Sequence, residues 1–184
     1  DLVDMRAKTN KPIICKDFFI DEVQVTRARL SGADAILLML SVLDDESYKS
    51  LKAKANSYNM DVLTEVHDEF ELTRALNLGA KIIGINNRNL RDLTVSLETT
   101  RRLSPLVPKD CLVVSESGFL TRTDIRENAP YADAFLIGTA VMGNADPETK
   151  INELMVDQVK VCGLTRLRDA TLAADLGARY GGLI

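Results

Sequence analysis

The sequence alternates between short apolar runs and longer amphipathic stretches along its whole length. The runs are continuously hydrophobic, as in AILLML and CLVV, which is typical of parallel strands covered on both faces. A polar turn follows each run, so the pattern predicts repeated βα units. The predicted strands are Pro12–Cys15, Ala35–Leu40, Val62–Val66, Lys81–Ile85, Leu112–Ser115, Ala134–Ile137, Val159–Cys162 and Tyr180–Ile184, with helices between them.

A weak internal repeat supports the same units. RARLSGADAILLML, TRALNLGAKIIGI and AADLGARYGGLI each combine a helix that ends in leucine, a Gly-Ala corner and a strand. We expect Gly32, Gly79 and Gly177 to adopt the left-handed conformation that ends a helix. The expected helix N-caps are Asp44, Asp68, Ser96, Thr121 and Asp146.

Repeated βα units with short loops and right-handed crossovers fit two architectures. One is a closed (β/α)8 barrel, and the other is an open, doubly wound sheet. No GxGxxG motif follows any predicted strand, which argues against a dinucleotide-binding sheet.

Composition indicates an ordinary globular protein and disfavours several functions. With 46% apolar and 27% charged residues, disorder is not expected, and a net charge of −4 offers no basic face to nucleic acid. No apolar run approaches the roughly 18 residues of a membrane span. Cys15, Cys111 and Cys162 lie in separate apolar runs, which predicts reduced thiols in a cytosol and no metal site. We also expect no cofactor.

Both ends of the sequence lack the usual features of a terminus. The start, DLVDMRAKTN, has neither an initiator methionine nor a signal-peptide pattern, and the final YGGLI is typical of a strand with no following loop. We therefore expect a fragment that is cut at both ends.

Polar residues follow most of the predicted strands at their carboxyl ends, the edge where parallel α/β folds place reactive groups. A single polar residue there is most often structural. Glu65 and Asn86, however, stand inside the end of an apolar run, where a charge or an amide needs partners or a ligand. The residues at these ends are Lys16, Ser41, Glu65, Asn86, Asn87, Arg88, Glu116, Ser117, Gly118, Gly138 and Thr139.

Alternation along the strands predicts which of these side chains share a face. A lysine and carboxylates in one mouth of the fold supply a donor and acceptors for general acid–base catalysis. Glycines and a hydroxyl on the last two loops would let a phosphate approach the backbone, at Gly118, Gly138 and Thr139. The residues expected to converge in the mouth are Lys16, Glu65, Asn86 and Glu116.

Other polar and aromatic residues favour structural interpretations. His67 is the only histidine and stands at the start of a helix, so we expect a surface or capping role. Tyr48 and Tyr58 fall within one helical segment and are expected to pack against neighbours. The acidic run at residues 44–46 suits a helix N-terminus.

Several segments resemble indole-3-glycerol-phosphate synthase of tryptophan biosynthesis. CKDFFID, LLMLSVLDD, VLTEVHD, GAKIIGINNRNL, SESGF and FLIGTAVM occur in the family's order and spacing, from the first strand to about residue 156. The resemblance implies the third to eighth βα units of a (β/α)8 barrel. It also implies ring closure, decarboxylation and dehydration of 1-(2-carboxyphenylamino)-1-deoxyribulose 5-phosphate by a cytoplasmic enzyme.

The resemblance also implies roles for single residues. Lys16 is similar to the general acid that assists attack on the sugar carbonyl, and Glu65 to its acid–base partner. Asn86 and Glu116 are similar to residues that hold substrate hydroxyls and support proton transfer. The residues similar to the family's anion and phosphate contacts are Arg88, Ser117, Gly118, Gly138 and Thr139.

The last segment, from residue 157 to 184, resembles the start of phosphoribosylanthranilate isomerase, whose signature matches KVCGLT. Cys162 is similar to the catalytic base of that family. The resemblance implies a bifunctional parent chain with a second barrel. An alternative is that the two tail strands complete the first barrel.

Two other functions stay open at this stage. The segments resemble only the third to eighth βα units of the family. The family's first strand, with an expected glutamate and lysine, is not among them, so one alternative is a phosphate-binding scaffold without turnover. Alternatively, Lys16 could be the Schiff-base nucleophile of an aldolase-like barrel.

Overall fold

Two compact units make up the part of the chain that the structure describes. The computed structural model describes residues 2–90, 92–155, 159–164, 166–175 and 178–183, and after Met155 it describes the side-chain surroundings of residues 166–169, 171 and 172 only. The first unit contains the residues up to Gly118 together with Tyr131–Leu136, and the second contains Phe119–Pro130 and the residues from Ile137 onward. The predicted division at residue 156 stays a prediction.

Strands and helices alternate along the chain, as predicted. The strands are β1 Ile14–Cys15, β2 Ala35–Met39, β3 Asp61–Val66, β4 Ile82–Asn86, β5 Leu112–Glu116, β6 Ala134–Leu136, β7 Val159–Leu164 and β8 Ala178–Leu183. The α-helices are α1 Leu2–Arg6, α2 Glu22–Leu30, α3 Asp45–Ser57, α4 Glu69–Asn77, α5 Glu98–Leu103, α6 Arg122–Asn128, α7 Thr139–Met142, α8 Pro147–Met155 and α9 Leu167–Asp175, and the 3₁₀ turns are Ser104–Leu106 and Ala129–Tyr131.

Six parallel strands form one sheet in the first unit, in the order β1-β2-β3-β4-β5-β6. Each strand pairs with the next one in sequence, with Leu37 opposite Leu63 and Asn86 opposite Glu116. A doubly wound sheet would reverse its order at a switch point, whereas a barrel adds every strand on the same side. The structure therefore has barrel winding, and the predicted incomplete (β/α)8 barrel is confirmed.

Alternating side chains divide the core of this unit between the two faces of the sheet. Leu37, Met39 and Leu63 lie on one face, called here the inner face, and pack with Ile82, Val114 and Leu136. Ile36 and Leu38 point the other way. On that outer face they join a larger buried cluster with residues of α2, α3, α4 and α5, which includes Val25, Tyr48, Leu51, Leu72 and Leu103.

Most predicted helix caps are confirmed. The side chains of Asp44, Asp68, Thr121 and Asp146 accept hydrogen bonds from Ser47 N, Glu71 N, Asp124 N and Thr149 N. Ser96 is wrong as an N-cap. Its own N–H donates to Asn87 O at 2.9 Å, which ties Ser96 to the end of β4, and α5 begins later, after Leu97.

Glycine supplies the backbone geometry at two of the predicted corners. Gly32 and Gly79 have φ of +99° and +70°, so the left-handed conformation is confirmed at both. Gly177 lies outside the described residues.

The second unit carries helices and a small sheet of its own. In this unit α6 and α8 are in contact, and the Arg122 guanidinium donates to Leu154 O at 3.0 Å. Strands β7 and β8 pair in parallel as a separate two-stranded sheet. For the strands that the structure describes, the alternative in which the tail completes the first barrel is therefore wrong. No described helix has both the length and the apolar character needed to cross a membrane.

A buried hydrogen bond connects the helix layer to β3. The hydroxyls of Tyr48 in α3 and Thr64 in β3 lie 2.7 Å apart, and both side chains are fully buried. Tyr48 therefore packs against its neighbours as predicted, and Tyr58 is half-buried at the end of the same helix. Thr64 and Glu65 are neighbours in β3 and point to opposite faces of the sheet. The bond on the outer face therefore also holds the backbone from which Glu65 points to the inner face.

Tyr48→Phe is expected to lower the free energy of unfolding by about 1–2 kcal/mol, because the buried Thr64 hydroxyl loses its partner. The measurement is urea unfolding of the intact natural polypeptide, with Thr64→Val and the double variant completing a cycle. Tyr58→Phe is the matched control, since its hydroxyl lies 3.3 Å from Thr26 Oγ1 at a half-buried position. Equal effects at the two tyrosines would contradict the assignment.

Candidate active site

Lys16 lies directly after β1, where strand alternation sends its side chain to the inner face. Cys15 packs into the outer cluster, so the next side chain points the opposite way. Lys16 Nζ lies 3.2 Å from Glu65 Oε2 and 3.4 Å from Glu116 Oε2. Both carboxylates are fully buried, whereas the lysine side chain is 39% exposed. A half-exposed cation thus bridges two buried anions at the carboxyl ends of three strands.

Asn86 completes this group from β4. Its Nδ2 donates to Glu65 Oε1 at 3.1 Å, and its Oδ1 accepts from Arg88 N at 3.0 Å. The strand register places Asn86 directly opposite Glu116. The structure therefore brings together all four residues that the sequence placed in one mouth, here called the carboxylate cluster: Lys16, Glu65, Asn86 and Glu116.

Gly84 makes room for the cluster. It lies opposite Glu65 in the register, and a Cβ atom at this position would stand 2.1 Å from Glu116 Oε1. A side chain here would displace the carboxylate, so glycine is required for close approach rather than for backbone conformation.

Glu116 is a buried carboxylate whose close partner is the Lys16 ammonium. Among the described residues neither of its oxygens accepts a hydrogen bond, although the Lys16 ammonium lies within ion-pair distance. Burial, and secondarily the Glu65 charge, raises the pKa of Glu116 to about 7 in spite of Lys16. Such a group changes its protonation state near neutral pH and is open to a ligand that donates a hydrogen bond.

The pKa of Lys16 is also raised, but here charge outweighs burial. Burial alone would lower the pKa of Lys16, but the Glu116 and Glu65 carboxylates outweigh burial and raise it above its usual value. The ammonium form is therefore the resting form. Among the residues whose side chains are described, no three His, Cys, Asp or Glu groups form a metal site.

Asn87 holds the end of β5 from the outer face. Its Nδ2 donates to Ser115 Oγ, Glu116 O and Ser117 O at 3.0–3.1 Å. Its Oδ1 accepts from both the N–H and the hydroxyl of Thr100. The sequence marked Asn87 as a polar strand end without a role, and the structure shows a buried amide that fixes the backbone carrying Glu116.

The loop after β5 has an unusual backbone. Ser117 and Gly118 both have positive φ, +66° and +90°, and Ser117 N donates to Leu136 O at 3.4 Å. Positive φ is costly for serine, so the surrounding structure must hold this backbone in place. Arg88 lies in the β4 loop, where its guanidinium donates to Leu93 O at 3.4 Å instead of joining the cluster.

Three predicted site residues belong to the second unit. Gly138 is the N-cap of α7 and Thr139 is its first residue, and both are exposed. Cys162 lies in β7, opposite Gly182, and its side chain lies outside the described residues. The roles expected for these three residues stay predictions.

The sequence analysis missed His67. We expected a surface or capping role for this residue. The surface position is wrong, because the His67 side chain is only 15% exposed and its Nε2 lies 3.3 Å from Glu65 Oε1. A contact at the start of α4 is present, since the His67 backbone N–H donates to Glu71 Oε2 at 2.8 Å. The available signal was its spacing: residue 67 shares the face of residue 65 at the end of β3, and Glu71 stands one helical turn later.

Comparison with known proteins identifies the family of this chain. The family model of indole-3-glycerol phosphate synthase matches residues 1–154. The "Tryptophan biosynthesis protein TrpCF" of Yersinia pestis is 50% identical over 183 residues, covering 100% of this chain and 38% of that protein. The protein of the same name from Corynebacterium glutamicum is 49% identical, covering 100% of this chain and 39% of that protein. The chain thus spans about two fifths of the length of these relatives.

Solved structures support the fold. The 3-hexulose-6-phosphate synthase of Salmonella typhimurium superimposes with a TM-score of 0.72 at 14% identity, covering 83% of this chain and 76% of that one. A second 3-hexulose-6-phosphate synthase gives a TM-score of 0.65 at 20% identity, covering 83% of this chain and 77% of that one. At these identities the likeness concerns architecture alone, whereas the family-model match covers most of the sequence. On that match, the chain belongs to the indole-3-glycerol phosphate synthase family.

Proposed function

We propose that this chain carries the acid–base centre of an indole-3-glycerol phosphate synthase. The substrate would be 1-(2-carboxyphenylamino)-1-deoxyribulose 5-phosphate, and the reaction would close the indole ring with loss of CO2 and water. One observation carries the proposal: in a chain of this family, Lys16 lies between two buried carboxylates, and neither oxygen of Glu116 accepts a hydrogen bond from a residue that the structure describes.

Lys16 acts as the general acid of ring closure. As the aromatic carbon attacks the sugar carbonyl carbon, the carbonyl oxygen gains negative charge and takes a proton from the Lys16 ammonium. The raised pKa of Lys16 keeps that proton available at neutral pH. Loss of CO2 then restores the aromatic electrons. In the last step the new hydroxyl takes a proton from the Lys16 ammonium, which solvent has reprotonated, and leaves as water. The neighbouring ring carbon gives up a proton to Glu65, the acid–base partner, and the double bond of the indole ring forms.

Glu65 acts as the acid–base partner of Lys16. Its Oε2 faces the ammonium and its Oε1 is held by the Asn86 amide, so the carboxylate has a fixed direction. Glu116 has no such donor in the described part of the chain and accepts hydrogen bonds from the substrate hydroxyls. Asn86 contributes by orienting Glu65.

The phosphate of the substrate is assigned to the loops beyond the cluster. The left-handed backbone at Ser117 and Gly118 supports this assignment in the first unit. Arg88, Gly138 and Thr139 are proposed for anion and phosphate contacts from the family resemblance.

We also propose that the parent polypeptide is a bifunctional cytoplasmic enzyme. The support is the length and the name of the TrpCF relatives, of which this chain covers 38–40%. Cys162 is the proposed catalytic base of the second, phosphoribosylanthranilate isomerase activity.

The Schiff-base alternative has less support. An amine nucleophile must be neutral, and the two adjacent carboxylates raise the pKa of Lys16 and keep it charged. Borohydride trapping with a keto-sugar phosphate is expected to give no adduct at Lys16.

Lys16→Gln in the intact polypeptide is expected to lower kcat for indole-3-glycerol phosphate formation by about 10²–10⁴-fold, the usual contribution of a general acid. Lys81→Gln is the control, because Lys81 pairs with Asp110 at the opposite end of the strands and is 65% exposed. Undiminished turnover in the Lys16 variant would remove its acid role. Binding of a substrate analogue without any turnover by the wild type would favour the scaffold alternative.

Glu116 is expected to make activity and stability respond to pH with opposite signs. Activity rises as Glu116 ionises through about pH 7. Stability falls from about pH 4.5 to 7, because the folded state holds this proton to higher pH than the unfolded chain does, by at most about 3 kcal/mol. Rate profiles and urea unfolding from pH 5 to 8 measure both trends.

Glu116→Gln should flatten both pH trends, whereas Glu98→Gln, at an exposed ion pair with Arg101, should change neither. A Glu116→Gln enzyme that keeps the wild-type rate and unfolding profiles would overturn the assignment of this pKa.

A further inference from the structure

His67 lies between two glutamates. Its Nε2 is 3.3 Å from Glu65 Oε1, and its Nδ1 is 3.1 Å from Glu71 Oε2. The glutamates come from different elements, since Glu65 belongs to β3 and Glu71 to the first turn of α4. A single imidazole therefore spans from the start of a helix to the carboxylate cluster.

Glu71, the glutamate on α4, is itself held in place by hydrogen bonds. Glu71 Oε2 also accepts from the His67 backbone N–H at 2.8 Å, and the Glu71 N–H donates to the Asp68 cap at 2.8 Å. The Glu71 side chain is 13% exposed. Because Glu71 is held at both ends, it can set the orientation of the ring.

The charges that face His67 are mostly negative. Glu65 on β3, Glu71 on α4 and Glu116 on β5 act on the ring, while Lys16, after β1, offsets the charge of the two cluster carboxylates. Burial alone would lower the pKa of His67, but its hydrogen bond to Glu71 and the three carboxylates raise it above its ordinary value. Among the described residues Nε2 is buried and makes no hydrogen bond, so its 3.3 Å approach to Glu65 is an ion-pair contact, whereas Nδ1 is within hydrogen-bond distance of Glu71. Only an imidazolium carries a proton on both nitrogens, and a protonated ring therefore suits both carboxylates.

We propose that His67, as an imidazolium bridging Glu71 and Glu65, is the positioning residue that aims the Glu65 carboxylate at Lys16. The proposal rests on the proposed synthase function, because it assigns Glu65 to that chemistry. With the Asn86 hydrogen bond and the His67 ion pair on Oε1, the other oxygen, Oε2, is left to face the Lys16 ammonium. His67 does not touch the reacting atoms in this scheme and acts through Glu65.

The sign of the pH dependence follows from the raised pKa. The imidazolium contacts are complete below the ordinary histidine value of 6.5 and are lost as pH rises through the higher folded pKa. Activity should therefore decline as pH rises through the folded pKa of His67. This decline, called here the His67 limb of the pH profile, should occur at lower pH than the decline that deprotonation of Lys16 would produce. Glu71→Gln removes one of the anions that stabilise the cation, so this limb should move to lower pH.

The test compares kcat, KM and pH profiles of the intact polypeptide carrying His67→Gln, Glu71→Gln or Glu69→Gln. His67→Gln is expected to lower kcat about tenfold with little change in KM, a loss of about 1.4 kcal/mol in transition-state stabilisation, and to remove the limb. Glu69→Gln is the matched control, because Glu69 lies in the same helical turn but pairs with Arg102 at the surface. It should leave the limb unchanged.

A second readout does not depend on synthase activity. Nuclear magnetic resonance titration can follow the His67 imidazole, whose signal is assigned by its loss in the His67→Gln variant. The pKa of His67 should lie above 6.5. It should be lower in the Glu71→Gln variant and unchanged in the Glu69→Gln variant. If the proposed synthase function is wrong but the His67 contacts are right, this titration will give the expected pKa values and synthase turnover will be absent. A His67 pKa at or below 6.5, or equal pH profiles in His67→Gln and the wild type, would overturn the bridge.

Discussion

The site depends on one electrostatic arrangement, in which the Lys16 ammonium lies within 3.4 Å of two fully buried carboxylates. Two buried anions in one pocket repel each other and lose hydration, so without a cation at least one would take up a proton. Lys16 neutralises only part of this charge. The raised pKa of Glu116 is the consequence, and it gives the pocket a group that exchanges a proton near neutral pH.

The sheet holds this costly arrangement from both faces. On the inner face, Gly84 leaves the space that the Glu116 carboxylate fills. On the outer face, the Tyr48–Thr64 bond and the Asn87 amide fix the strands on either side of the cluster, so Glu65 and Glu116 have little freedom to separate. Packing of the strands and helices thus keeps the two carboxylates close together, although their charges repel each other.

The predictions from sequence were best where a local rule decides the structure. Apolar runs gave the strands, and the side chains of Asp44 and Asp68 form caps because the helix start needs an acceptor there. Ser96 failed because a contact distant in sequence, from its N–H to Asn87 O, outweighed the local capping preference. The surface or capping role expected for His67 was incomplete for a related reason: its position at a helix start is a local property, whereas its burial beside Glu65 is not.

The sequence by itself determined the βα order, the face on which each strand residue lies and, through the family motifs, the four residues of the carboxylate cluster. Period-two alternation and motif spacing are local properties, so they can be read from a string of residues. Only the tertiary structure decided the distances within the cluster, the burial of Glu116 beside Glu65 and Lys16, and the contacts of His67 with two glutamates. These depend on register and burial, which arise when separate strands pack together and exclude water.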